Sequence, residues 1–337
     1  MDPREAQEKV TAFQKDFGRV EAEIGKVIVG QKAVIRGVLT ALFGGGHCLL
    51  EGVPGLGKTL LVRTLGQVLR LQFNRIQFTP DLMPADVLGT NLVAQTADGN
   101  RVFRFQKGPI FSQIVLADEI NRATPKTQSA MLEAMAEHSV TAGGERHVLE
   151  EPFLVLATQN PIEMEGTYPL PEAQLDRFMF KLHVSFSSLA ELRTILERTT
   201  DKTKVELTPI IDGPKALEYQ GLVREVVSAP HVKDYVSRLV WATHPESELA
   251  TDSVKKYVRF GSSPRGAQSI MLAAKVGALV DGRFNASFDD VKRAAHNALR
   301  HRMLLNFEGE AEGVKVEKVL DEILMDVKPD LASAVPA

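Results

Sequence analysis

Apolar side chains recur at helical spacing near the start of the chain. Within residues 5–27 they fall three or four positions apart, at Val10, Phe13, Phe17, Val20, Ile24 and Val27. This spacing predicts an amphipathic helix. After an interruption at Val29-Gly30-Gln31, a second helix is predicted over residues 32–42, and the glycines at 44–46 predict a turn.

Short apolar runs then alternate with segments of helical spacing. We predict strands in this part of the chain at residues 47–51, 73–78, 113–117, 153–157 and 179–183. An alternation of strands and helices is typical of a parallel sheet with helices on its faces.

Two segments depart from this alternation and predict β-hairpins. The first pairs residues 92–94 with 102–105 around the turn Asp98-Gly99-Asn100, and the second pairs 140–142 with 146–149 around Gly143-Gly144. In the first hairpin, Phe103 and Phe105 alternate with arginines, which suits a surface that grips a substrate or a half-buried strand equally well.

From Leu189 onward the pattern is helical, with Ser188 as a candidate cap. Helices are predicted at residues 189–198, 214–227, 231–243, 251–259, 264–281, 287–302 and 314–325. The pattern therefore predicts an α/β domain with an N-terminal helix (1–188), an all-α domain (189–327) and a disordered tail (328–337). Within the helical part we expect Trp241 in the core, and Arg300-His301-Arg302 at a solvated helix end.

Composition excludes several classes of protein without naming a function. The 337 residues are 44% hydrophobic and 25% charged, with a formal net charge of −3, which gives no electrostatic support for a nucleic-acid or membrane-surface binder. No apolar run approaches the length of a membrane span. The first residues lack the pattern of a signal peptide, so we expect a cytoplasmic location. The single cysteine, Cys48, is expected to be a buried strand residue.

The strongest chemical signal is a glycine loop between a predicted strand and a predicted helix. Residues 52–60 read Gly52, Val53, Pro54, Gly55, Leu56, Gly57, Lys58, Thr59 and Leu60. The segment fits the phosphate-binding loop G-x-x-x-x-G-K-[ST]. In such a loop the backbone N–H groups and the helix N-terminus cradle phosphate oxygens. Lys58 would contact the β- and γ-phosphates of ATP, and Thr59 would ligate Mg²⁺.

Two adjacent carboxylates end a later predicted strand. Asp118 and Glu119 follow the apolar residues 114–117. Asp118 is placed to hold Mg²⁺, directly or through a water molecule, and Glu119 to deprotonate the attacking water. Asn160 ends the next predicted strand, where its amide could hold that water or cap a turn.

With these residues in place, the sequence resembles the AAA+ ATPases and, within them, the MoxR family over roughly residues 20–325. The segments that carry the resemblance are Val29-Gly30-Gln31, DLMPADVLG at 81–89, DEINRA at 118–123 and EGTYPLPEAQLDRF at 165–178. The resemblance implies a P-loop core with a parallel sheet, a helix-2 insert, β-hairpins and an all-α lid. It also implies that Val29, Gly30 and Gln31 lie beside the adenine.

Three further roles are implied by the resemblance alone. Asn160 matches the sensor 1 position, Arg177 matches the arginine finger and Arg265 matches sensor 2. An arginine finger acts on the nucleotide of a neighbouring subunit, which implies a homo-oligomer, taken to be a hexamer. Whether Arg265 acts on its own or on the neighbouring nucleotide stays open at this point.

The function implied is an ATP-driven ring that remodels or helps to mature partner protein complexes, together with a von Willebrand factor A-domain protein. One alternative is a motor subunit like that of magnesium chelatase, which also has a helix-2 insert. A nucleic-acid motor is a further alternative, which the net charge does not favour.

Overall fold

The computed structural model describes residues 2–95, 100–142, 144–161, 166–200 and 205–330. Several positions of the predicted features lie outside these ranges. They are Asp98 and Gly99 of the first predicted turn, Gly143 of the second, Glu165, and residues 331–337 of the predicted tail.

A five-stranded parallel sheet forms the centre of the α/β part, as the alternation of strands and helices predicted. Its strands are β1 (Cys48–Glu51), β2 (Phe73–Gln77), β5 (Ile114–Asp118), β8 (Leu154–Gln159) and β9 (Phe180–His183). Their spatial order is β2-β5-β8-β1-β9. Every residue of β5 is buried, as expected for a parallel strand that is covered on both faces.

Two apolar clusters cover the two faces of the sheet. Adjacent residues of one strand belong to different clusters, as Leu49 and Leu50 of β1 show, because successive strand side chains point to opposite faces. The helices that follow the strands are α3 (Lys58–Val68), α4 (Pro84–Leu88), the 3-10 turn Ile120–Arg122, α5 (Pro125–Glu137) and α6 (Glu172–Leu175). Cys48 is fully buried, which confirms the expectation for the single cysteine.

Both predicted hairpins form, and they contact each other. The first consists of β3 (Gly89–Gln95) and β4 (Arg101–Lys107), and the second of β6 (Ser139–Ala142) and β7 (Glu145–Val148). Phe105 stacks on His147 of the second hairpin with a centroid separation of 4.0 Å, whereas Phe103 is exposed. The two phenylalanines thus have different environments, one packed and one open to solvent.

The C-terminal region is helical and adjoins the two N-terminal helices. Its helices are α7 (Leu189–Thr200), α8 (Gly213–Glu225), α9 (Pro230–Trp241), α10 (Asp252–Tyr257), α11 (Pro264–Val280), α12 (Phe288–Leu299), α13 (Phe307–Ala311) and α14 (Val316–Asp326). The N-terminal pair is α1 (Pro3–Gly25) and α2 (Lys32–Gly44). The region also holds a small antiparallel sheet of β10 (Val258–Phe260) and β11 (Leu304–Leu305), which the apolar spacing did not indicate.

One apolar core joins the N-terminal helices to the C-terminal region. Phe13 of α1, Phe43 of α2 and Tyr219 of α8 meet edge-to-face at centroid distances of 5.0 to 6.0 Å. Such aromatic contacts add to the free energy gained from burial. The same core continues through α11, where Ile270 and Ala274 are fully buried.

Two expectations about the helical region are wrong. Trp241 is exposed rather than in the core, because it ends α9 beyond the buried face made by residues such as Val236 and Leu239. His301 and Arg302 are buried rather than solvated. The chain leaves α12 against the amino end of β9, so these two side chains contact the backbone there.

No helix within the described ranges is long and apolar enough to cross a membrane.

Candidate nucleotide site

The glycine loop follows the carboxyl end of β1 and leads into the N-terminus of α3. Gly55 and Gly57 have φ angles of 83° and 78°, in the left-handed region that residues with a side chain rarely adopt. A Cβ at Gly52 would lie 2.7 Å from the carbonyl oxygen of Val184, whereas a Cβ at Gly55 or Gly57 would meet nothing within 4 Å. The loop is thus held at its start and open at its centre, as a cradle for phosphate requires.

The Lys58 side chain folds back over this loop. Its Nζ donates to the carbonyl oxygen of Gly52 at 2.5 Å. Burial lowers the pKa of Lys58, and the carboxylates of Asp118, Glu119 and Glu51 oppose that shift. An ammonium group paired with a carbonyl of the loop is well placed to move onto the oxygens of a phosphate bound in it.

Asp118 lies at the carboxyl end of β5 with both carboxylate oxygens engaged. Its Oδ1 accepts a hydrogen bond from Thr158 Oγ1 at 2.6 Å. Its Oδ2 accepts from Nε and Nη2 of Arg75, at 3.0 and 2.7 Å. Arg75 reaches Asp118 because β2 pairs with β5. Arg75 lies opposite Leu116, two residues before Asp118 and therefore on the same face of the sheet, whereas Gln77 lies opposite Asp118.

Glu119 is held in an unusual backbone conformation by neighbouring groups. Its φ angle is 57°, which is uncommon for a residue other than glycine. The Glu119 N–H donates to Thr158 Oγ1 at 2.8 Å. Its Oε2 accepts from Gln77 Nε2 at 2.9 Å and from Arg122 Nη1 at 3.0 Å. The carboxylate is therefore fixed beside β2 and the 3-10 turn.

The remaining residues predicted at this end of the sheet lie on the adjoining loops. Asn160 is buried directly after β8, and β8 accepts the hydrogen bond from Gly52 N–H through Gln159. Gly30 and Gln31 have φ angles of 68° and 56°. Gln31 Nε2 donates to the carbonyl oxygen of Ser185 at 2.9 Å, which fixes residues 29–31 beside the segment that contacts Gly52.

Arg177 and Arg265 do not lie at this end of the sheet. Arg177 precedes β9, and its Nη1 donates to the carbonyl oxygen of Leu132 at 2.6 Å. Arg265 begins α11 and donates to Asp176 Oδ2 at 3.2 Å. A cavity of about 160 Å³ is lined by residues from both segments, among them Asp176, Arg177, Arg265 and Arg302.

A buried arginine organises this second group, which we call the arginine cluster (Asp176, Arg177, Arg265 and Arg302). Arg302 donates to Asp176 Oδ1 at 2.8 Å and to the carbonyl oxygens of Asp176, Phe178 and Met179. Burial raises the pKa of Asp176, but hydrogen bonds from Ser263 and Arg302 outweigh it and bring the pKa below its usual value. The carboxylate therefore stays charged between two guanidinium groups.

The strand register separates the glycine loop from the arginine cluster. β1 and β9 run parallel, with Cys48 beside Phe180 and Glu51 beside His183. The glycine loop follows Glu51, whereas Asp176 and Arg177 precede Phe180. At about 3.3 Å per strand residue, the two groups lie at least about 10 Å apart, at opposite ends of the sheet.

Several residues of the two groups were not found from the sequence. Arg75 and Gln77 lie in an edge strand whose pattern shows only that they are exposed, and Thr158 lies within a buried strand. Asp176 belongs to the segment Leu175-Asp176-Arg177-Phe178, which drew attention only through Arg177. The alternation of exposed Arg75 with buried Ile76 could have identified β2 as a strand. Nothing in the local sequence indicates that Arg75 pairs with Asp118.

Two family models match this chain. The model described as the ATPase family associated with various cellular activities (AAA) matches residues 47–180, and the model of the AAA lid domain matches residues 251–323. The matched ranges include the glycine loop, Asp118, Asn160 and Arg177 in the first case, and Arg265 in the second.

Individual relatives match over most of their lengths. The chain is 42% identical to Chaperone MoxR1 of Mycobacterium tuberculosis, over 93% of this chain and 82% of that protein. It is 29% identical to Protein MoxR of Methylorubrum extorquens, over 97% of this chain and 95% of the relative. A crystal structure of a Cytophaga hutchinsonii protein superposes with a TM-score of 0.91 at 41% identity, covering 98% of this chain and 99% of that one.

Proposed function

Because the chain belongs to the MoxR family of AAA+ ATPases and is an ATP hydrolase, we propose that it works as a ring. In this ring one protomer binds each ATP, and arginines of the next protomer complete the site. The observation that carries the proposal is the separation of the two groups at opposite ends of one sheet. A protomer cannot bring Arg177 to its own glycine loop without detaching the segment before β9, and Arg265 is paired with Asp176 of that same segment. A neighbour that presents its arginine cluster to the loop completes the site.

We assign nucleotide binding to the loops at the carboxyl end of the sheet. Val29, Gly30 and Gln31 border the adenine, and residues 52–60 cradle the phosphates through their N–H groups. Lys58 leaves the Gly52 carbonyl to contact the β- and γ-phosphates. The open space around Gly55 and Gly57 admits phosphate oxygens close to the backbone.

Thr59 and Asp118 are the candidate ligands of Mg²⁺. A hydroxyl and a carboxylate are hard oxygen donors, the type that this cation prefers, so the residues present fit the ion. When bound, Mg²⁺ would neutralise charge on the phosphate oxygens. Thr158 positions the Asp118 carboxylate through its hydrogen bond to Oδ1.

Hydrolysis requires a base and an oriented water molecule. Glu119 takes a proton from the water, whose oxygen then attacks the γ-phosphorus as the bond to the ADP oxygen breaks. Asn160, at the end of the neighbouring strand β8, orients that water. Gln77 and Arg122 both donate to Oε2 of Glu119 and hold the carboxylate in place.

Arg177 and Arg265 stabilise the charge on the transferring phosphoryl group from the neighbouring protomer. Guanidinium groups suit this role because they stay charged and present several donors in one plane. Asp176 holds Arg265 beside Arg177, so both arginines belong to one surface. The position of Arg265 favours action on the neighbour's nucleotide rather than on its own.

Mixing two inactive variants tests the shared site. Arg177→Ala should lower ATP turnover by about 10³-fold, with nucleotide affinity unchanged, and Lys58→Ala should bind nucleotide poorly. In an equimolar mixed ring, a quarter of the sites would combine an intact Lys58 with an intact neighbouring Arg177, so turnover should recover to about a quarter of the wild-type value. The absence of recovery at every mixing ratio, in samples shown to exchange subunits, would refute the shared site.

We further propose that the ring is a hexamer that drives remodelling of a partner complex, with a von Willebrand factor A-domain protein as its adaptor. The name of one relative, Chaperone MoxR1, supports a chaperone-type output. Tagged Glu119→Gln protein, loaded with ATP, should retain the adaptor and its complex, whereas Lys58→Ala protein should not. Recovery of the same proteins with both variants would contradict an ATP-dependent interaction. The mass of the ATP-loaded Glu119→Gln assembly tests the subunit number.

A further inference from the structure

We propose that Arg75 is a resident counter-cation of Asp118 that competes with Mg²⁺ and thereby sets how much Mg²⁺ the nucleotide site requires. The proposal rests on the proposed role of Asp118 as a metal ligand. It assigns a function to an edge-strand arginine outside the loops that would contact nucleotide.

The contacts of Asp118 leave little room for a second cation. Oδ2 already accepts two N–H groups from Arg75, and Oδ1 accepts the Thr158 hydroxyl. A carboxylate offers about four lone-pair positions, so three are occupied by protein donors. A divalent ion on the same oxygens would lie beside a guanidinium charge, and the two cations would repel each other. Arg75 and the metal therefore bind to Asp118 at each other's expense.

The different exposures of the two side chains favour separation of Arg75 from Asp118. The Asp118 side chain retains 13% of its exposure, whereas the Arg75 side chain retains 47%. If Arg75 leaves, its guanidinium regains water at small cost, while Asp118 stays largely buried and needs another positive partner. An arriving metal provides that partner. The contrast is Arg302, whose side chain is 2% exposed in its pair with Asp176 and has no comparable access to water.

Movement of Arg75 would also affect Glu119, the proposed catalytic base. Arg75 Nη2 donates to Gln77 Oε1, and Gln77 Nε2 donates to Glu119. Release of Arg75 removes one contact that orients the Gln77 amide, so the restraint on Glu119 weakens when the metal replaces Arg75 on Asp118. Replacement of Arg75 by the metal on Asp118 thus couples occupation of the metal site to the mobility of the Glu119 carboxylate.

The test measures binding rather than turnover. The full chain is titrated with a fluorescent, non-hydrolysable ATP analogue at a series of Mg²⁺ concentrations, and the Mg²⁺ concentration for half-maximal affinity is compared between variants. Arg75→Met should lower that concentration about tenfold, a typical coupling between two competing sites, and leave the affinity measured in excess chelator unchanged. Arg75→Lys, which keeps the charge but loses the planar fork, should fall between wild type and Arg75→Met.

Arg19→Met is the matched control. Arg19 pairs with Asp16 at 3.3 Å, with side-chain exposures of 51% and 19%, close to those of the Arg75–Asp118 pair, but it lies on α1. This variant should show the wild-type Mg²⁺ requirement. Thermal unfolding of each variant confirms that it is folded before binding is measured.

An unchanged or increased Mg²⁺ requirement in Arg75→Met would overturn the proposal, the latter by showing that Arg75 assists the metal ligand. A wild-type chain that binds no nucleotide at any Mg²⁺ concentration would refute the proposed site itself, and this inference with it. Binding by the wild type with no effect of Arg75→Met would refute the inference alone.

Discussion

Replacing Arg302 by methionine removes a buried guanidinium while keeping a long apolar side chain. In the native structure Arg302 donates to the Asp176 carboxylate and to the carbonyl oxygens of Asp176, Phe178, Met179 and Ala298. Methionine supplies none of these donors. The carbonyl oxygens of Asp176 and Met179 then lose the Arg302 donor, and the Phe178 carbonyl keeps only His301. The largely buried Asp176 carboxylate loses its principal counter-charge.

The magnitude follows from these losses. Removing one partner of a buried ion pair typically costs about 3–5 kcal/mol, and each buried acceptor left without a donor adds to the cost. An unfolding entropy of about 0.7 kcal/mol/K is typical for a chain of this length, so a loss of about 3–5 kcal/mol lowers Tm by about 4–7 °C. The comparison variant is Arg265→Met, which removes an ion pair with the same carboxylate. The Arg265 side chain is 56% exposed. That change should cost less than about 1 kcal/mol.

Differential scanning calorimetry at pH 7 compares the two variants with the wild type, and Trp241 fluorescence, from the single tryptophan of the chain, reports on the helical region. Equal shifts of Tm for Arg302→Met and Arg265→Met would refute the reasoning, because burial would then not determine the cost.

The pKa of Asp176 is lowered in the folded state, so its contribution to stability is present above the unfolded pKa of about 3.9. It is lost as pH falls through the folded pKa, and the difference between wild type and Arg302→Met should shrink below about pH 4.

Two further predictions concern the base and a buried histidine. Glu119→Gln should bind ATP with near wild-type affinity but release phosphate at least about 10²-fold more slowly, and turnover at the wild-type rate would remove Glu119 from the role of base. His47 is fully buried, with Nδ1 accepting from Val155 N–H and Nε2 donating to the Met135 carbonyl; burial lowers its pKa to about 4. The stability that it contributes is complete above the unfolded pKa of about 6.5 and is lost as pH falls toward 4, so the Tm of the wild type should fall more steeply over that interval than the Tm of His47→Gln.

The glycine loop and the strands could be predicted because their signals are local. Residues 52–59 carry the phosphate-binding pattern without interruption, and the apolar runs of β1, β5 and β8 each lie within a few residues of a polar site residue. Parallel strands bring their carboxyl ends to one edge of a sheet. The pattern therefore predicted that the glycine loop, Asp118 and Asn160 follow strands at one end of the sheet, but it did not indicate Arg75, Gln77 or Thr158 beside them.

The arginine cluster could not be predicted because its contacts join distant parts of the chain. Arg265 lies 89 residues from Asp176, and Arg302 lies 126 residues from it. Locally, Arg302 follows the last turn of α12 beside two other basic residues, a pattern typical of a solvated helix end. Only the packing of α12 on β9 makes it the buried partner of a carboxylate.

The expectation for Trp241 failed for a related reason. The buried face of α9 is made by residues such as Val232, Val236 and Leu239, and Trp241, two positions after Leu239, lies about 200° around the helix from it. Apolar character alone placed the indole in the core, whereas the helical period directs it outward. Its Nε1–H donates to Glu248 at 3.1 Å.

The apolar core shared by α1, α2 and α11 restricts how a protomer can respond to its nucleotide. Swinging the C-terminal helices away from the N-terminal pair would bring Phe13, Phe43 and Ile270 into water, at about 1.5–3 kcal/mol for each such side chain. A displacement of whole protomers against one another leaves these residues dry. If the proposed ring forms, we therefore expect its nucleotide-driven movement to be concentrated where two subunits meet, with each chain moving as one rigid body.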